Sequence, residues 1–553
     1  MPRETFSPSF VPPSFHPPSF FVGWAVRGTA HPTKNEGGWV KRAMAERPLA
    51  AGVDLGGSAV KAWVSEIGRG VVAGATRAIV ARRPRPGVAE LDPGAWWAAT
   101  REALREAVAR ADRPGGDYAG LTASSLRQGY VRTDGLAEVG PAVLNSDRRG
   151  AGQLDRLRRQ VGTEALYRIT GHWPAPELTL PKLLHLASTD PAGWAATRRV
   201  LFVHDWVLWR LSGVEASEAC YASAGQMADV AHRCWASDLL NDLGLGTERL
   251  APLVEAGTQV GRLQVGDLGL PRGLPVVAGG GDTQLAAMGA GGLAEGVVTV
   301  VAGSSTPVQA ASGHPPQDPY RHPWVSTHVA PDRWAVETNA GYPGTMLGWW
   351  AATLGTDPAE LWCRAEASRP GAGGVTAVVA APVWDERAWT ARAPHSVLGL
   401  SPTTSGADLA RAFVEAHAFA VAANVADLER VLGRPATTLV LTGGGARHGG
   451  LARLLADVMA RPVTVPWVDQ PAALAGAALV ARAAGISLGD VASPAATVVA
   501  AGDPEPYREP QRRYLEAHAA LADHLPEGAA PTSPGTGGRT AAGPVPDLPP
   551  DRP

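Results

Sequence analysis

The sequence predicts an α/β protein made of two similar domains. Short apolar runs typical of strands alternate with stretches of helical spacing along 553 residues, a length beyond what one core usually supports. In addition, a strand followed by a turn of small residues occurs near residue 55 and again near residue 303. A duplicated domain would give this repeat.

Composition excludes several classes of protein. Hydrophobic residues make up 45% and charged residues 18%, an ordinary globular balance. The formal net charge of −2 gives no basic excess for nucleic acid or an anionic membrane, and no apolar stretch is long enough to span a bilayer. The spacing of Cys220, Cys234 and Cys363 suggests neither a disulfide framework nor a zinc site, which fits a reducing cytoplasm.

The two ends differ from the middle of the chain. Residues 1–46 contain three Pro-Ser-Phe units and no periodic pattern, so we expect a disordered N-terminal extension. We expect the working protein to begin near Met44, with the preceding segment disordered or never translated. Residues 527–553 are predicted to be a disordered tail. The predicted domains are 47–293 and 294–526.

The first glycine-rich turn lies within Gly52–Lys61 and carries Asp54 at a strand end. Apolar and polar residues alternate from Val60 to Val64, which predicts a second strand and hence a hairpin. The segment is therefore not a Walker loop, in which a helix follows the glycines. An ordinary tight hairpin turn would give the same pattern.

A second aspartate, Asp282, follows the run Gly279–Gly281. Phosphoryl transfer uses glycine-rich loops whose N–H groups bind phosphates, a carboxylate near the metal and another carboxylate as base. The two turns together supply these groups.

The residues between the two turns predict further elements. Asp92-Pro93 is typical of a helix start, and the helix should run to about Ala111 with its tryptophans in the core. Gly120–Val131 is predicted to form strand, loop and strand, and the loop carries Arg127 and Gln128, which can hydrogen-bond a polyhydroxylated ligand. The polar cluster that contains Asp147 follows another strand, although a surface ion pair would explain it equally well. Two further helices are expected at 179–187 and 204–211.

The second half repeats the theme of strand and glycine turn. The β-branched run from Val297 ends in a turn of small residues, Gly303–Thr306, which can present N–H and hydroxyl donors to phosphate. A long helix is predicted from Ala407 to Leu432. The strand Leu439–Thr442 then leads into three glycines and a helix over 450–459, an arrangement that admits a nucleotide, although a plain loop can also contain three glycines.

Taken in order, these segments resemble the FGGY family of carbohydrate kinases, within the actin, hexokinase and Hsp70 superfamily. The resemblance covers about residues 48–520. Five ordered motifs carry it: Asp54–Lys61, Asp92-Pro93 with Trp96-Trp97, Gly279–Asp282, Gly303–Thr306, and Thr442–Ala446 with Leu455-Ala456-Asp457.

The resemblance implies two actin-like (ribonuclease H-like) domains around a cleft that binds ATP and Mg²⁺. It assigns Asp282 as the catalytic base and Asp54 as the carboxylate that holds Mg²⁺. The implied phosphate-binding residues are Gly56, Gly57, Ser58, Lys61, Gly303 and Ser304. The implied adenosine motif is Gly443, Gly444, Gly445 and Ala446. The residues matching the sugar pocket are Arg127, Gln128 and Asp147.

Several runs resemble the branch of the family that includes the quorum-signal autoinducer kinase, with the xylulokinases second. They are Ser125–Gly129, Asn145–Arg149, Tyr167–Gly171 and Gly281–Leu285. Gln128 stands where that branch has glutamate, and Gly57 replaces the more common threonine of the first phosphate turn. Ser304-Ser305-Thr306 departs from the usual Gly-Thr-Ser but keeps its hydroxyl groups.

The sequence therefore predicts a cytoplasmic, ATP-dependent carbohydrate kinase, as a monomer or homodimer, acting on a small sugar, ketose, polyol or autoinducer-type molecule. A sugar-binding sensor without activity, or a nucleotide-dependent switch of the same superfamily, are the alternatives. The set Arg127, Gln128 and Asp147 favours the kinase over a switch, because a switch would not need a sugar pocket.

Overall fold

The computed structural model describes residues 47–113, 116–391, 395–487 and 495–523. The N-terminal extension and the tail that the sequence predicts to be disordered lie outside these ranges. Two large sheets organise the described chain, one ending at Gly281 and the other beginning at Val297.

The first sheet has six strands. Its first three strands form antiparallel hairpins, and two later strands are added in parallel on the opposite side of the first. The parallel step needs a crossover connection, and this includes the helix Pro93–Arg110. In spatial order the strands are Gln259–Arg262, Pro275–Gly281, Tyr118–Ser125, Leu49–Leu55, Ala59–Glu66 and Gly70–Ala78.

The second sheet has seven strands and contains the same arrangement. Again the first strand, Val297–Val301, pairs antiparallel with the next one on one side and parallel with a later one on the other. The repeat confirms the predicted duplication and the two-domain α/β fold of the ribonuclease H type. In spatial order the strands are Trp324–Thr327, Trp334–Asn339, Pro307–Ser312, Val297–Val301, Thr438–Thr442, Val463–Pro466 and Ala496–Val499.

The predicted hairpin and the predicted first helix are both confirmed. Asp54 lies opposite Lys61 in the antiparallel register. The Asp92 carboxylate accepts a hydrogen bond from the N–H of Ala95 at 2.8 Å, which caps the helix, and Pro93 stands in its first turn. Trp96 and Trp97 are buried in the core, as predicted.

The helices surround the two sheets. Those of the first half are Pro93–Arg110, Leu154–Gln160, Thr163–Thr170, Thr179–Thr189, Pro191–Ala196, Val203–Ser212, Ala219–Ala224, Ser237–Asp242 and Asp282–Gly289. Those of the second half are Pro343–Thr353, Pro358–Glu366, Glu386–Ala391, Gly406–Leu432, Gly450–Met459, Pro471–Ala483 and Glu505–Asp523. Short 3₁₀ turns occupy Arg149–Gln153, Ala372–Gly374 and Gly444–His448.

Shorter strands form small accessory sheets. A four-stranded sheet joins Glu90–Leu91, Ala142–Val143, Tyr130–Thr133 and Arg199–Phe202. The two-stranded pairs are Ser217–Glu218 with Leu253–Val254, Ala228–Asp229 with Cys234–Trp235, and Thr376–Val378 with Ser396–Leu398.

The long helix Gly406–Leu432 confirms the longest helix predicted. It begins with a capping box between Ser405 and Asp408 and ends at Gly433 in the left-handed conformation. Contrary to the expectation that no apolar stretch is long enough to span a bilayer, this helix could cross one by length and composition alone. However, 78% of its apolar window is buried inside the protein. Its apolar character is therefore that of a core helix.

One helix of the second half packs against the first sheet. Pro471–Ala483 lies along the helix Asp282–Gly289, where a Cβ added to Gly289 would come within 1.9 Å of the Pro471 carbonyl oxygen. At Gly476 a Cβ would lie 2.9 Å from the ring of Trp63. Glycine at these positions lets the halves approach closely, and this helix forms one wall of the site described next.

Candidate active site

Asp54 and Asp282 lie at the same edge of the first sheet. The strands Leu49–Leu55, Tyr118–Ser125 and Pro275–Gly281 are parallel neighbours, so their carboxyl ends meet there. Ser124 is the registered partner of Asp54 on one side, and its hydroxyl donates to Asp54 Oδ1 at 2.9 Å. Asp282 begins the helix that follows the third of these strands.

The electrostatics of Asp54 reflect this neighbourhood. Burial and, second, the Asp282 carboxylate together raise the pKa of Asp54 to about 6, against the opposing effects of the Ser124 hydrogen bond and of Lys61. Two carboxylates placed so close repel each other when both are ionised. A bound cation would relieve that repulsion, because it favours the ionised forms.

The Asp282 side chain has one occupied oxygen and one open oxygen. Its Oδ1 accepts hydrogen bonds from the N–H and the hydroxyl of Thr283, at 2.7 and 3.1 Å. In the described part of the chain, Oδ2 has no hydrogen-bond donor. A half-buried carboxylate fixed through one oxygen, with the other open, has the form that a general base requires.

The first turn, Gly56–Ser58, joins the two strands that carry Asp54 and Lys61. The N–H of Gly56 donates to the Ala59 carbonyl oxygen at 3.0 Å, which closes the turn. Ser58 and Lys61 are exposed. The hairpin thus exposes a hydroxyl group at its turn, and the Lys61 ammonium group lies close enough to Asp54 to act on it electrostatically.

The second turn, Gly303–Thr306, is fixed by a helix that begins against it. The N–H and the hydroxyl of Thr345 both donate to the Ser304 carbonyl oxygen, at 3.1 and 3.3 Å. A Cβ at Gly344 would lie only 2.0 Å from the Gly303 carbonyl oxygen, so the helix needs glycine there. Gly303 and Ser304 themselves remain exposed.

A cavity of about 690 Å³ connects the first hairpin with the triple-glycine turn. Asp54 and Lys61 border it on one side and Gly443, Gly444 and Ala446 on the other. Its further lining residues include Trp63, Ser124, Val301, Arg447, Trp467 and Gln470. The volume is within the range of small-ligand and cofactor sites.

Within the triple-glycine turn, Gly443 and Gly445 pack against Ala302, the residue that follows the first strand of the second sheet. Gly443 has φ +90°, and a Cβ there would lie 2.6 Å from the Ala302 carbonyl oxygen. The N–H of Gly445 donates to the same oxygen at 2.9 Å. The turn is therefore close-packed beneath and open above, where Gly444 faces the cavity.

Arg127, predicted for the sugar pocket, spans the two halves of the molecule. Its guanidinium donates to Glu337 Oε1 at 2.7 Å, and the side chains of Arg127 and Glu337 are only 10% and 5% exposed. The Asp282 carboxylate also acts on Arg127 electrostatically, so the three charges lie together. Oε2 of Glu337 is buried and has no partner in the described residues, which leaves it one acceptor to offer a ligand hydroxyl or water.

Gln128 and Asp147, the other two residues predicted for the sugar pocket, are both buried. Gln128 has φ +61°, an uncommon conformation for a residue other than glycine, and is 9% exposed. Asp147 is fully buried, and its oxygens accept from the N–H of Ala89 and from the backbone and side chain of Arg149. The ion pair that the sequence left open as a surface feature is therefore present but buried.

Lys182 ties the loops of Gln128 and Asp147 together. Its ammonium group donates to the carbonyl oxygens of Gln128, Leu144 and Asn145, at 3.1, 2.8 and 3.5 Å. Burial lowers the pKa of Lys182 to about 7. Because its ammonium group donates to backbone carbonyl oxygens of both loops, Lys182 fixes the position of one loop relative to the other.

Sequence reasoning missed Lys182, Glu337 and Trp467. Lys182 left a usable signal, since it is the one charge in the apolar run Thr179–Leu186. Trp467 stands at the cavity, 71% exposed, with its indole N–H donating to the Thr497 hydroxyl at 2.7 Å. No local pattern distinguishes Glu337, because its importance arises only when the two halves meet.

The fold and site together define a class: a two-domain phosphotransferase of the actin-like superfamily. The chain matches the family models named FGGY family of carbohydrate kinases, N-terminal domain, over residues 49–289, and C-terminal domain, over residues 298–485. It belongs to the FGGY family of carbohydrate kinases and is an ATP-dependent sugar kinase, as the sequence predicted.

Relatives of known name agree with this assignment. The autoinducer-2 kinase of Yersinia enterocolitica is 30% identical over 459 residues, 79% of this chain and 86% of that protein. The xylulose kinase of Rhodospirillum rubrum is 26% identical with a TM-score of 0.76, covering 86% of this chain and 99% of that one. A gluconate kinase from Lactobacillus acidophilus is 19% identical with a TM-score of 0.79 and the same coverage, which shows the fold alone.

Proposed function

We propose that this protein transfers the γ-phosphate of ATP directly to a hydroxyl group of a small sugar-like acceptor, with Asp282 as the general base. The observation that supports this most is the open Oδ2 of Asp282, at the sheet edge that also carries Asp54. Asp54 itself lines the 690 Å³ cavity. Asp282 takes the proton of the acceptor hydroxyl, and the oxygen attacks the γ-phosphorus in line.

The phosphate turns stabilise the charge that develops during transfer. The first turn supplies Ser58, the strand after it supplies Lys61, and the second turn supplies Gly303 and Ser304. Together they offer N–H, hydroxyl and ammonium donors. The triple-glycine turn accommodates adenosine, and the ring of Trp467 offers a face for the base. Closure of the two halves would exclude water and so limit ATP hydrolysis.

The donor set fits Mg²⁺ that arrives with the nucleotide. Among the described residues no group of three or more acidic, histidine or cysteine side chains could hold a metal alone. Asp54, with Asp282 close by, offers the one or two carboxylates that Mg²⁺ uses together with nucleotide phosphates. When bound, Mg²⁺ neutralises phosphate charge, and Asp54 would hold it, directly or through water.

The acceptor that we favour is autoinducer-2 or a related small ketose, with D-xylulose second. The named relative at 30% identity and the resemblance of Ser125–Gly129 and Asn145–Arg149 to the autoinducer branch support this order. The cytoplasm is the compartment in which ATP and such sugars meet, and the three cysteines are free. A monomer or a homodimer would serve equally.

The test is a panel of acceptors assayed with ATP and Mg²⁺. ADP release and product mass would be measured with autoinducer-2, D-xylulose, D-gluconate, glycerol and no acceptor. We expect acceptor-dependent ADP release and a phosphorylated product. ADP release at one rate with every acceptor would favour the switch, and sugar binding without turnover would favour the sensor.

Gln128→Glu should change the preference among acceptors. The glutamate restores the carboxylate found in the autoinducer branch, and a carboxylate accepts a hydroxyl hydrogen bond more strongly than an amide does. We expect kcat/KM for autoinducer-2 to rise about 5–10-fold relative to D-xylulose. An unchanged ratio of the two kcat/KM values would show that residue 128 does not select the acceptor.

Gly57→Thr should strengthen ATP binding. An ideal Cβ at Gly57 meets only Leu126 Cδ2, at an ordinary 3.7 Å, so a side chain fits. The added hydroxyl can donate to a phosphate oxygen, and we expect KM for ATP to fall about 2–10-fold. Gly57→Val is the matched control, since it has the same branched shape without the hydroxyl. Equal KM values for the two variants would contradict the proposed phosphate contact.

A further inference from the structure

The strand end that leads to Asp282 lacks a strand partner on its outer side. The outer neighbour, Gln259–Arg262, pairs with Pro275–Gly281 only as far as Val277. On the inner side the register with Tyr118–Ser125 shifts between Val277 and Gly280, and pairing resumes at Gly280 with Ser124 and at Gly281 with Ser125. The backbone groups of Gly279–Gly281 that these strand pairings leave open need other hydrogen-bond partners, because buried N–H and C=O groups are costly when unpaired.

Three buried side chains supply those partners, one for each glycine. The N–H of Gly279 donates to His204 Nε2 at 3.0 Å, and the N–H of Gly281 donates to Cys220 Sγ at 3.2 Å. Between them, the Tyr221 hydroxyl donates to the Gly280 carbonyl oxygen at 2.8 Å. All three side chains are fully buried and come from the helices Val203–Ser212 and Ala219–Ala224.

Each of these side chains is itself held in place. His204 Nδ1 lies 2.8 Å from the buried Asp205 carboxylate, and this contact fixes the tautomer in which Nε2 is an acceptor. The imidazole stacks on the Tyr221 ring at 4.8 Å. Burial raises the pKa of the Cys220 thiol well above its usual value, so its sulfur stays a neutral acceptor.

The backbone that these three side chains hold is closely packed. A Cβ at Gly279 would lie 1.8 Å from the Ala123 carbonyl oxygen, and one at Gly281 would lie 3.1 Å from Arg127 Cδ. Gly281 immediately precedes Asp282. Loss of the hydrogen bond between the Gly281 N–H and Cys220 would therefore displace the Asp282 carboxylate first.

We propose that Cys220, Tyr221 and His204 are positioning residues for phosphoryl transfer: they hold Gly279–Gly281 so that the open oxygen of Asp282 faces the acceptor hydroxyl. None of them needs to touch the acceptor. The proposal rests on the proposed function, since it assumes that Asp282 is the base. A misplacement of about 1 Å can cost on the order of 100-fold in rate, so small displacements here matter.

Cys220→Ala and Cys220→Ser form the matched pair that tests this. Alanine removes the acceptor for the Gly281 N–H, whereas serine keeps an acceptor atom, its hydroxyl oxygen, in place of the sulfur. With ATP and the best acceptor of the panel, we expect kcat of Cys220→Ala to fall about 10-fold or more with KM for ATP unchanged. Cys220→Ser should recover most of kcat. Hydrogen exchange of the 279–282 amides, measured without substrate, should be faster in the alanine variant than in the serine variant.

The double variant Asp282→Asn/Cys220→Ala separates this proposal from the proposed function. If Cys220 acts through Asp282, adding Cys220→Ala to Asp282→Asn should slow the residual rate no further. Full kcat in Cys220→Ala beside an inactive Asp282→Asn would overturn the positioning role alone, as would equal losses in the alanine and serine variants. Full activity of Asp282→Asn would remove the base and the positioning role together.

Discussion

Replacing Asp282 with asparagine should lower kcat by about 10²–10⁴-fold while ATP binding stays near that of the unchanged protein. The amide is isosteric, and its oxygen can still accept the two hydrogen bonds from Thr283 that fix the start of the helix. The position now held by Oδ2 then carries an amide nitrogen, which cannot take a proton from the acceptor. Steady-state kinetics and calorimetric titration with ATP would measure the two effects separately.

Asp92→Asn provides the matched control for this experiment. It makes the same chemical change at a helix cap outside the cavity, where asparagine caps about as well as aspartate. We expect its kcat to be unchanged. Near-normal phosphorylation by Asp282→Asn would remove Asp282 from the role of base, and equal losses in both variants would point to a general effect on folding.

Much of the fold could be predicted because its signals are local. Alternation from Val60 to Val64 predicted the hairpin, the Asp92-Pro93 pair predicted a helix start, and helical spacing predicted the long helix Gly406–Leu432 within one residue. Each of these depends on neighbours within a few positions along the chain. Periodicity and capping are therefore sufficient to find them.

Only those residues of the candidate site that belong to a short sequence motif could be predicted. The glycine turns and the aspartates beside them stand at the ends of predicted strands, so the carboxylates of Asp54 and Asp282 could be named from the sequence. Glu337 and Cys220 could not be, because each acts on groups far away in sequence. A buried polar side chain shows its partners only once the chain has folded, and one sequence contains no record of such pairs.

Replacing Asp54 with asparagine should reduce activity and stabilise the protein at the same time. Without the carboxylate, we expect kcat/KM for Mg-ATP to fall about 10–100-fold, most strongly at limiting Mg²⁺. The pKa of Asp54 rises from 3.8 to about 6 on folding, so its ionisation costs stability above that pH. A neutral residue avoids this cost, and we expect the nucleotide-free variant to gain about 1–3 kcal/mol at pH 8.

The pH dependence of that gain separates the electrostatic cause from a general effect of the substitution. Because the folded pKa is the higher one, Asp54 contributes stability below pH 3.8 and loses it as the pH rises through about 6. The gain in melting temperature of Asp54→Asn should therefore be largest above pH 7 and shrink from pH 6 towards pH 4. Asp357→Asn, a change at a helix cap in the second half, should show no such trend. A gain that stays constant across this range would contradict the raised pKa of Asp54, and with it the burial of this carboxylate beside Asp282 that the structure indicates.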